Sequence, residues 1–292
     1  MGFAKKQNSL LQPLFAVGKS AVWRNNMGKM IIVASGKGGT GKTTFTSQIG
    51  MWLSSLGYLT VLVDADAGFR NLDIALGLES SVVYDYSDFM SGTSDLDDIL
   101  TKSHNSENLY FIAAPQSAKT SDFDTERVKL FWDSVKSRFD FVIADAPAGM
   151  GDGFMFAAEF ADEAIIVSLA ETPSLRDADR VIENLENKGI ETIRLVLNRV
   201  NPEQIASRVQ INVDDCIDVL SIPILGIVPE DIKVAESAAK GISVTPDIQG
   251  AGQAFLNIAR RLAGKSIPMM EFRRPSRKSI WSRMRKSLNK SQ

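Results

Sequence analysis

One strand–loop–helix pattern constrains this chain more than any other feature. An apolar run at residues 30–34 leads into Gly36-Lys37-Gly38-Gly39-Thr40-Gly41-Lys42-Thr43, and a predicted helix opens directly afterwards. Glycines let backbone N–H groups curl around phosphate oxygens, and the positive end of the following helix attracts the same anion. The pattern Gly-x-x-x-x-Gly-Lys-Thr in this setting predicts a phosphate-binding loop, here called the P-loop, in a nucleotide-binding protein that uses Mg²⁺.

The P-loop supplies most of the expected nucleotide contacts. Lys42 is expected to reach the β- and γ-phosphates, and the Thr43 hydroxyl is expected to ligate Mg²⁺. The loop residues expected to bind the nucleotide are Gly36, Lys37, Gly38, Gly39, Thr40, Gly41, Lys42, Thr43 and Thr44.

Short apolar, β-branched runs alternate with helical patterns over residues 27–264. Strands are predicted at residues 30–34, 59–63, 109–113, 141–144, 164–168, 193–197 and 222–226, with helices near 42–56, 125–137, 174–188, 231–239 and 250–263. Continuously apolar strands are typical of a sheet covered on both faces. The alternation predicts a single doubly wound α/β domain, with a mostly parallel twisted sheet and helices on both faces.

Acidic residues end two of the predicted strands. Asp64 and Asp66 follow one apolar run, and Asp145 follows another. Ligands of open α/β sheets lie beyond the carboxyl ends of the strands, where these side chains would meet the P-loop. We expect Asp145 to act with Thr43 at Mg²⁺ and Asp66 to orient or activate the attacking water. A helix cap or a solvated turn is the alternative for either segment.

Charge is unevenly distributed along the chain. Residues 265–292 carry nine Lys or Arg and one acidic residue, and residues 1–26 carry four Lys or Arg and no acidic residue. Residues 27–264 therefore hold −14 of a total net charge of −2. Basic ends on an acidic body indicate contact with an anionic partner, either membrane or nucleic acid. No apolar run is long enough to span a bilayer, which takes about 18 residues.

The C-terminal segment, residues 279–292, predicts a short amphipathic helix after a linker at 265–278. Its apolar side chains fall on one face, with Arg and Lys on the rest; they are Ile280, Trp281, Met284 and Leu288. A basic amphipathic helix with Trp on its apolar face is typical of an interfacial membrane anchor. The alternatives are a terminal helix packed on its own domain and a nucleic-acid tail.

Residues 1–26 are a basic N-terminal extension. Its apolar residues could form a second interfacial helix, although Pro13 interrupts the pattern. We expect these residues to be a disordered leader, or the protein to start at Met27.

Cys216, the single cysteine, excludes an internal disulfide, suits a reducing cytoplasm and is expected to be buried. His104, the single histidine, is expected in a solvated loop, and a zinc site is not expected.

The early lysine of the P-loop carries a resemblance. The run Lys37-Gly38-Gly39-Thr40-Gly41-Lys42-Thr43-Thr44 resembles the deviant Walker A motif of the MinD/ParA family of ATPases. Residues 64–73 resemble that family's switch segment, Asp145-Ala146-Pro147-Ala148-Gly149 its Walker B and second switch element, and Leu197-Asn198-Arg199-Val200 its adenine-recognising segment. The resemblance covers residues 27–264; residues 1–26 are extra, and the match loosens after Gly149.

The resemblance implies a slow, Mg²⁺-dependent ATPase that works as an ATP-dependent homodimer. Lys37 would reach the partner's phosphates, and Asp64 would couple the switch segment to the γ-phosphate. Asn198 would hydrogen-bond the base, and Arg199 would contact the nucleotide. The MinD branch binds a MinC-like division inhibitor and a MinE-like or other stimulator through a helix that resembles the one carrying Arg176, Asp177 and Asp179. It also carries a C-terminal helix for anionic inner-membrane lipid.

The implied role is placement of the division septum by a protein that is cytoplasmic and peripheral on the cytoplasmic face of the membrane. A flagellar-placement ATPase of the FlhG/FleN type and a ParA-like DNA partition ATPase remain alternatives, although specific DNA binding is not expected. A nucleotide-gated scaffold without turnover is a further alternative.

Overall fold

The computed structural model describes residues 27–68 and 70–270, and the strands alternate with helices along this part of the chain. The strands are β1 (Lys29–Ala34), β2 (Thr60–Asp64), β3 (Thr101–Lys102), β4 (Leu109–Ile112), β5 (Phe141–Asp145), β6 (Glu163–Leu169), β7 (Ile193–Val200) and β8 (Ile224–Pro229).

The helices differ widely in length. They are α1 (Lys42–Ser55), α2 (Leu72–Leu76), α3 (Tyr86–Ser91), α4 (Leu96–Ile99), α5 (Thr125–Arg138), α6 (Asp152–Ala158), α7 (Thr172–Asn187), α8 (Pro202–Ala206), α9 (Val213–Leu220), α10 (Ile232–Ala238) and α11 (Ala251–Leu262), with a 3₁₀ helix at Thr120–Asp122.

The strands form one sheet in the order β3-β4-β2-β5-β1-β6-β7-β8. Every pairing is parallel except that of β3 with β4. The centre of the sheet aligns Val33 of β1 with Asp145 of β5, and Asp64 of β2 with the same Asp145. This register brings the carboxyl ends of the three central strands to one edge, where the P-loop begins.

Alternate side chains of the central strands enter separate cores on the two faces. In β1, Met30 and Ile32 pack on one face, while Ile31 and Val33 pack on the other. The first face is covered by α3 to α7 and α9, and the second by α1, α2 and α11. Strands that are buried on both sides need apolar residues at every position, which explains their continuous apolar runs.

The predicted doubly wound α/β domain is confirmed, with the predicted strands and long helices present within a few residues of their expected ends. Sequence periodicity missed β3 and several short helices. Two of these, α3 and α4, have fewer residues than two turns and begin with capping boxes at Asp85 and Asp95. Helices this short have too few apolar positions to show a 3.6-residue repeat.

Two observations concern the single cysteine and the single histidine of the chain. Cys216 is fully buried, and burial raises the pKa of its thiol to about 11. His104 is exposed and contacts the Ser81 hydroxyl.

The Arg261 guanidinium donates to the backbone carbonyls of Ile267 and Pro268, so residues past the predicted domain end still contact the body. The domain boundaries stay predictions.

No helix among residues 27–68 and 70–270 is both long and apolar enough to cross a membrane.

An aromatic cluster on the α5 face generates a stability prediction. Trp132 is fully buried against Phe131 and Phe156, and its indole N–H donates to the Phe156 carbonyl at 2.9 Å. We expect Trp132→Ala to lower the free energy of unfolding by about 3–5 kcal/mol, because it leaves a cavity and an unpaired carbonyl. Urea unfolding followed by circular dichroism measures this loss. Leu130→Ala, at a position of the same helix that is 49% exposed, is the control and should cost less than about 1 kcal/mol; equal losses would contradict the assignment.

Candidate functional site

The P-loop runs from the carboxyl end of β1 to the first turn of α1, and the surrounding protein fixes two of its glycines. Gly41 has φ +88°, in the left-handed region, and a Cβ there would lie 2.3 Å from the side-chain nitrogen of Asn198. Gly36 is fixed by packing instead, since a Cβ would lie 2.2 Å from the backbone carbonyl carbon of Asp177 in α7. The beginning of the loop is therefore pressed directly against α7.

An open cleft of about 530 Å³ lies over the P-loop. A Cβ built at Gly38 or Gly39 would meet nothing within 4 Å, so the loop backbone at these residues faces open space. A cleft of this size is ample for a nucleotide, since ligand sites usually measure about 300–1,000 Å³. The cleft is lined by Ser35, residues 37–44, Asp66, Asn71, Ile74, Ala75, Ala148, Arg199, Ala238 and Ala239.

Asp145, at the end of β5, is the centre of a buried polar cluster beneath the cleft. Its carboxylate is 2% exposed. Oδ1 accepts hydrogen bonds from Lys42 Nζ at 3.0 Å and Thr46 Oγ1 at 3.0 Å, and Oδ2 accepts one from Thr43 Oγ1 at 2.6 Å. Thr46 follows Lys42 by four residues and Thr43 by three, so one face of α1 presents all three side chains. The structure thus brings together the predicted pair of Thr43 and Asp145.

These residues fit a Mg²⁺ ion that enters with a nucleotide. Mg²⁺ prefers oxygen ligands, and proteins usually hold it through one or two side chains while phosphates and waters supply the rest. The Thr43 hydroxyl lines the cleft and contacts the Asp145 carboxylate, so both oxygens lie where the phosphates would meet α1.

The two acidic residues after β2 occupy different positions. Asp64 is 1% exposed and accepts backbone N–H bonds from Asp66 at 2.9 Å and Leu72 at 3.2 Å, which fixes both ends of the switch segment. Asp66 is half-buried and lines the cleft, whereas Asp64 lies behind it. Burial, and then the Asp145 carboxylate, raise the pKa of Asp64 to about 7. Burial also raises the pKa of Asp66.

Two further residues predicted to bind the nucleotide, Asn198 and Arg199, lie at the end of β7. The Asn198 side-chain nitrogen donates to the Thr40 carbonyl at 2.7 Å, so Asn198 supports the P-loop from below. Arg199 has φ +53°, is exposed and lines the cleft. The contact of Asn198 with the base, and of Arg199 with the nucleotide, stays a prediction.

Lys37 has an environment unlike that of Lys42. Its Nζ lies 3.3 Å from Glu171 Oε2 of the same chain, and the Lys37 side chain is 31% exposed. Lys42 is buried on Asp145. Partly exposed ion pairs contribute little stability, typically less than about 1 kcal/mol. The Lys37 ammonium can therefore leave Glu171 and pair with another anion at little cost in free energy.

The helix predicted to bind partners, α7, continues directly from this region. Arg176 and Asp179 are exposed, and Asp177 is half-buried where it touches Gly36. Their partner role stays a prediction. The predicted membrane residues lie outside the described part of the chain; they are Ile280, Trp281, Met284 and Leu288.

Sequence reasoning did not find two side chains of the site, Thr46 and Glu171. The spacing of Thr46 after Lys42 and Thr43 was a usable signal, because a helix places these positions on one face. Glu171 gave no such signal, since it meets Lys37 only through the long-range packing of α7 on the P-loop.

Comparisons with known proteins show the family of this chain. A family profile described as the CobQ/CobB/MinD/ParA nucleotide binding domain matches residues 31–244. The septum site-determining protein MinD of Synechocystis sp. is 42% identical over 84% of this chain and 93% of its own length.

Two solved structures are also similar. The first is the MinC:MinD cell division protein complex of Aquifex aeolicus, where 84% of this chain matches 100% of the solved chain at 36% identity and a TM-score of 0.75. The second is the septum site-determining protein MinD of Pyrococcus horikoshii complexed with Mg-ADP, where 81% of this chain matches 96% of the solved chain at 30% identity and a TM-score of 0.68. Because the profile spans most of the described residues and these relatives are matched along nearly their whole length, the chain belongs to the MinD/ParA family of nucleotide-binding proteins.

Proposed function

We propose that this protein is an ATP-dependent, dimerising and membrane-associating ATPase that positions the division septum by recruiting a division inhibitor. The observation that carries the proposal is the P-loop with two lysines in different environments, one buried on Asp145 and one at the mouth of the cleft. The names of the relatives support a role in septum placement, and the MinC:MinD complex supports a MinC-type inhibitor as partner.

Phosphate binding falls to the P-loop and to the cluster around Asp145. Lys42 moves from Asp145 to the β- and γ-phosphates, which the open backbone at Gly38 and Gly39 also holds. Thr43 and Asp145 would hold Mg²⁺, and the relative solved with Mg-ADP supports the use of this ion. Mg²⁺ would neutralise charge that develops on the transferred phosphoryl group.

Hydrolysis needs a positioned water and a further positive charge. Asp66 is the carboxylate that lines the cleft, and its raised pKa makes it a better proton acceptor than an exposed aspartate. Lys37 leaves Glu171 and reaches the phosphates of a second chain, where it acts in the manner of an arginine finger. Asp64 keeps the switch segment in place from behind.

Dimerisation connects the nucleotide to the membrane. A single short amphipathic segment binds lipid weakly, but two segments held in one dimer bind with avidity. Residues 279–292 of each chain would provide these segments on the cytoplasmic face of the membrane. ATP binding would thereby attach the protein to anionic lipid, and hydrolysis, stimulated by a MinE-like or other partner, would release it.

Sharing of active sites between chains can be tested by mixing variants. Lys37→Ala and Asp66→Ala should each reduce ATP hydrolysis at least about 100-fold, since a general base and a finger residue each contribute that much or more. In an equal mixture half the dimers are mixed, and one of the two sites in each is complete, so activity should return to about a quarter of the wild-type value.

The control for this mixing experiment replaces Asp66→Ala by the double variant Lys37→Ala/Asp66→Ala. That mixture contains no intact Lys37 and should stay inactive. Phosphate release measured at a saturating concentration of ATP reports both mixtures. Recovery in neither mixture would contradict the shared site, and recovery in both would show that Lys37 is dispensable.

Membrane attachment can be tested by sedimentation with anionic vesicles. We expect the full chain to sediment with ATP and to remain in solution with ADP, because avidity requires the dimer. Deletion of residues 279–292 should abolish sedimentation, whereas Ser287→Ala in the same segment should preserve it. Equal sedimentation in all conditions would contradict the switch. Retention on DNA with a steep salt dependence would favour a partition ATPase instead.

Recruitment of the inhibitor can be tested on α7. Asp179→Ala should weaken ATP-dependent binding of a MinC-type protein about 10-fold or more, because an exposed charged contact of a partner helix is lost. Glu126→Ala in α5 removes an exposed carboxylate from another helix and serves as the control. Surface plasmon resonance with ATP present measures both affinities. An unchanged affinity for Asp179→Ala would contradict the assignment of this helix.

A further inference from the structure

Thr46 of α1 is a buried hydroxyl with two acceptors. It is 0% exposed, and its Oγ1 lies 3.1 Å from the Lys42 carbonyl and 3.0 Å from Asp145 Oδ1. A threonine hydroxyl carries one proton, so it donates to one of these oxygens at a time. The carboxylate is charged and accepts the stronger hydrogen bond. The carbonyl one turn earlier offers the local alternative found for many helical threonines.

The need for this hydroxyl depends on where Lys42 is. In the described structure Asp145 Oδ1 also accepts a hydrogen bond from Lys42 Nζ at 3.0 Å. Under the proposed function Lys42 turns to the phosphates, and Oδ1 then loses its charged partner while staying buried. A buried carboxylate oxygen without a donor costs free energy. Of the three side chains that contact Asp145 in the described structure, Thr46 is the one that binds Oδ1 without being needed at the nucleotide.

We propose that the Thr46 hydroxyl is a positioning group for the Mg²⁺-binding carboxylate. It holds Oδ1 of Asp145 once Lys42 has left, so that Oδ2 keeps its direction towards Thr43 and the metal. The proposal rests on the ATP- and Mg²⁺-dependent function given above. It assigns Thr46 an effect on metal affinity rather than contact with metal or nucleotide. Partners of this kind typically contribute 10- to 100-fold, in order of magnitude, to metal affinity.

The test measures binding of a fluorescent ADP analogue to the full chain, with and without Mg²⁺. Thr46→Val keeps the shape of the side chain and removes its hydroxyl. We expect the Mg²⁺ concentration for half-maximal nucleotide binding to rise about 10-fold, with the Mg²⁺-free affinity changed less than about twofold. Thr46→Ser retains the hydroxyl and should behave as wild type.

Ser47 provides the matched control. It is also buried in α1, and its hydroxyl donates to the Thr44 carbonyl at 2.9 Å without a bond to Asp145. Ser47→Ala should therefore leave the Mg²⁺ dependence unchanged. Thermal unfolding without nucleotide shows whether Thr46→Val folds. If it does not fold, Thr46→Ala replaces it, and the same result is expected.

Two outcomes with the Thr46 variants overturn the proposal. An unchanged Mg²⁺ dependence in Thr46→Val means that the hydroxyl bonds only to its own helix. An equal loss of nucleotide affinity with and without Mg²⁺ means that Thr46 stabilises α1 and does not affect Mg²⁺ binding. A wild-type chain that binds no nucleotide in either condition overturns the proposed function, and this inference with it.

Discussion

A single buried carboxylate determines how the rest of the site is arranged. Asp145 ends the strand next to β1, and three side chains from the first turns of α1 converge on its two oxygens. A charge withdrawn from water to this degree costs several kcal/mol unless it is paired and hydrogen-bonded. The P-loop, α1 and β5 must therefore assemble together. The parallel register of the central strands is what makes this assembly possible, since it sets Val33 beside Asp145.

The two lysines of the P-loop illustrate how environment separates residues of the same type. Lys42 is buried and paired with Asp145, the carboxylate that it would leave under the proposed function. Lys37 rests on Glu171 in a partly exposed pair that water screens. The first lysine belongs to the interior of its own chain, and the second is held at the surface, where another molecule can reach it. The proposed dimer site depends on this division between a cation buried in its own chain and a cation within reach of a second chain.

Much of the fold was predictable, because burial on both faces leaves a continuous apolar run in strands such as β1 and β5. The P-loop and the Asp145 position were predictable for a related reason: strand ends and glycine spacing are local properties of the sequence. The separation of Asp64 from Asp66 was not, because it depends on how the chain turns after β2 to reach Leu72. The contact of Glu171 with Lys37 was equally hidden, since it arises from packing between distant segments.

Gly36 has a consequence for how such sequences are interpreted. The first glycine of a phosphate loop is usually explained by the ligand, yet here the backbone of Asp177 leaves no space for a side chain. The constraint comes from a helix crossing and would persist in a descendant that had stopped binding nucleotides altogether. A glycine retained at this position in a degenerate homologue is thus evidence that α7 still packs on the loop, and by itself it is no evidence that the homologue still binds a nucleotide.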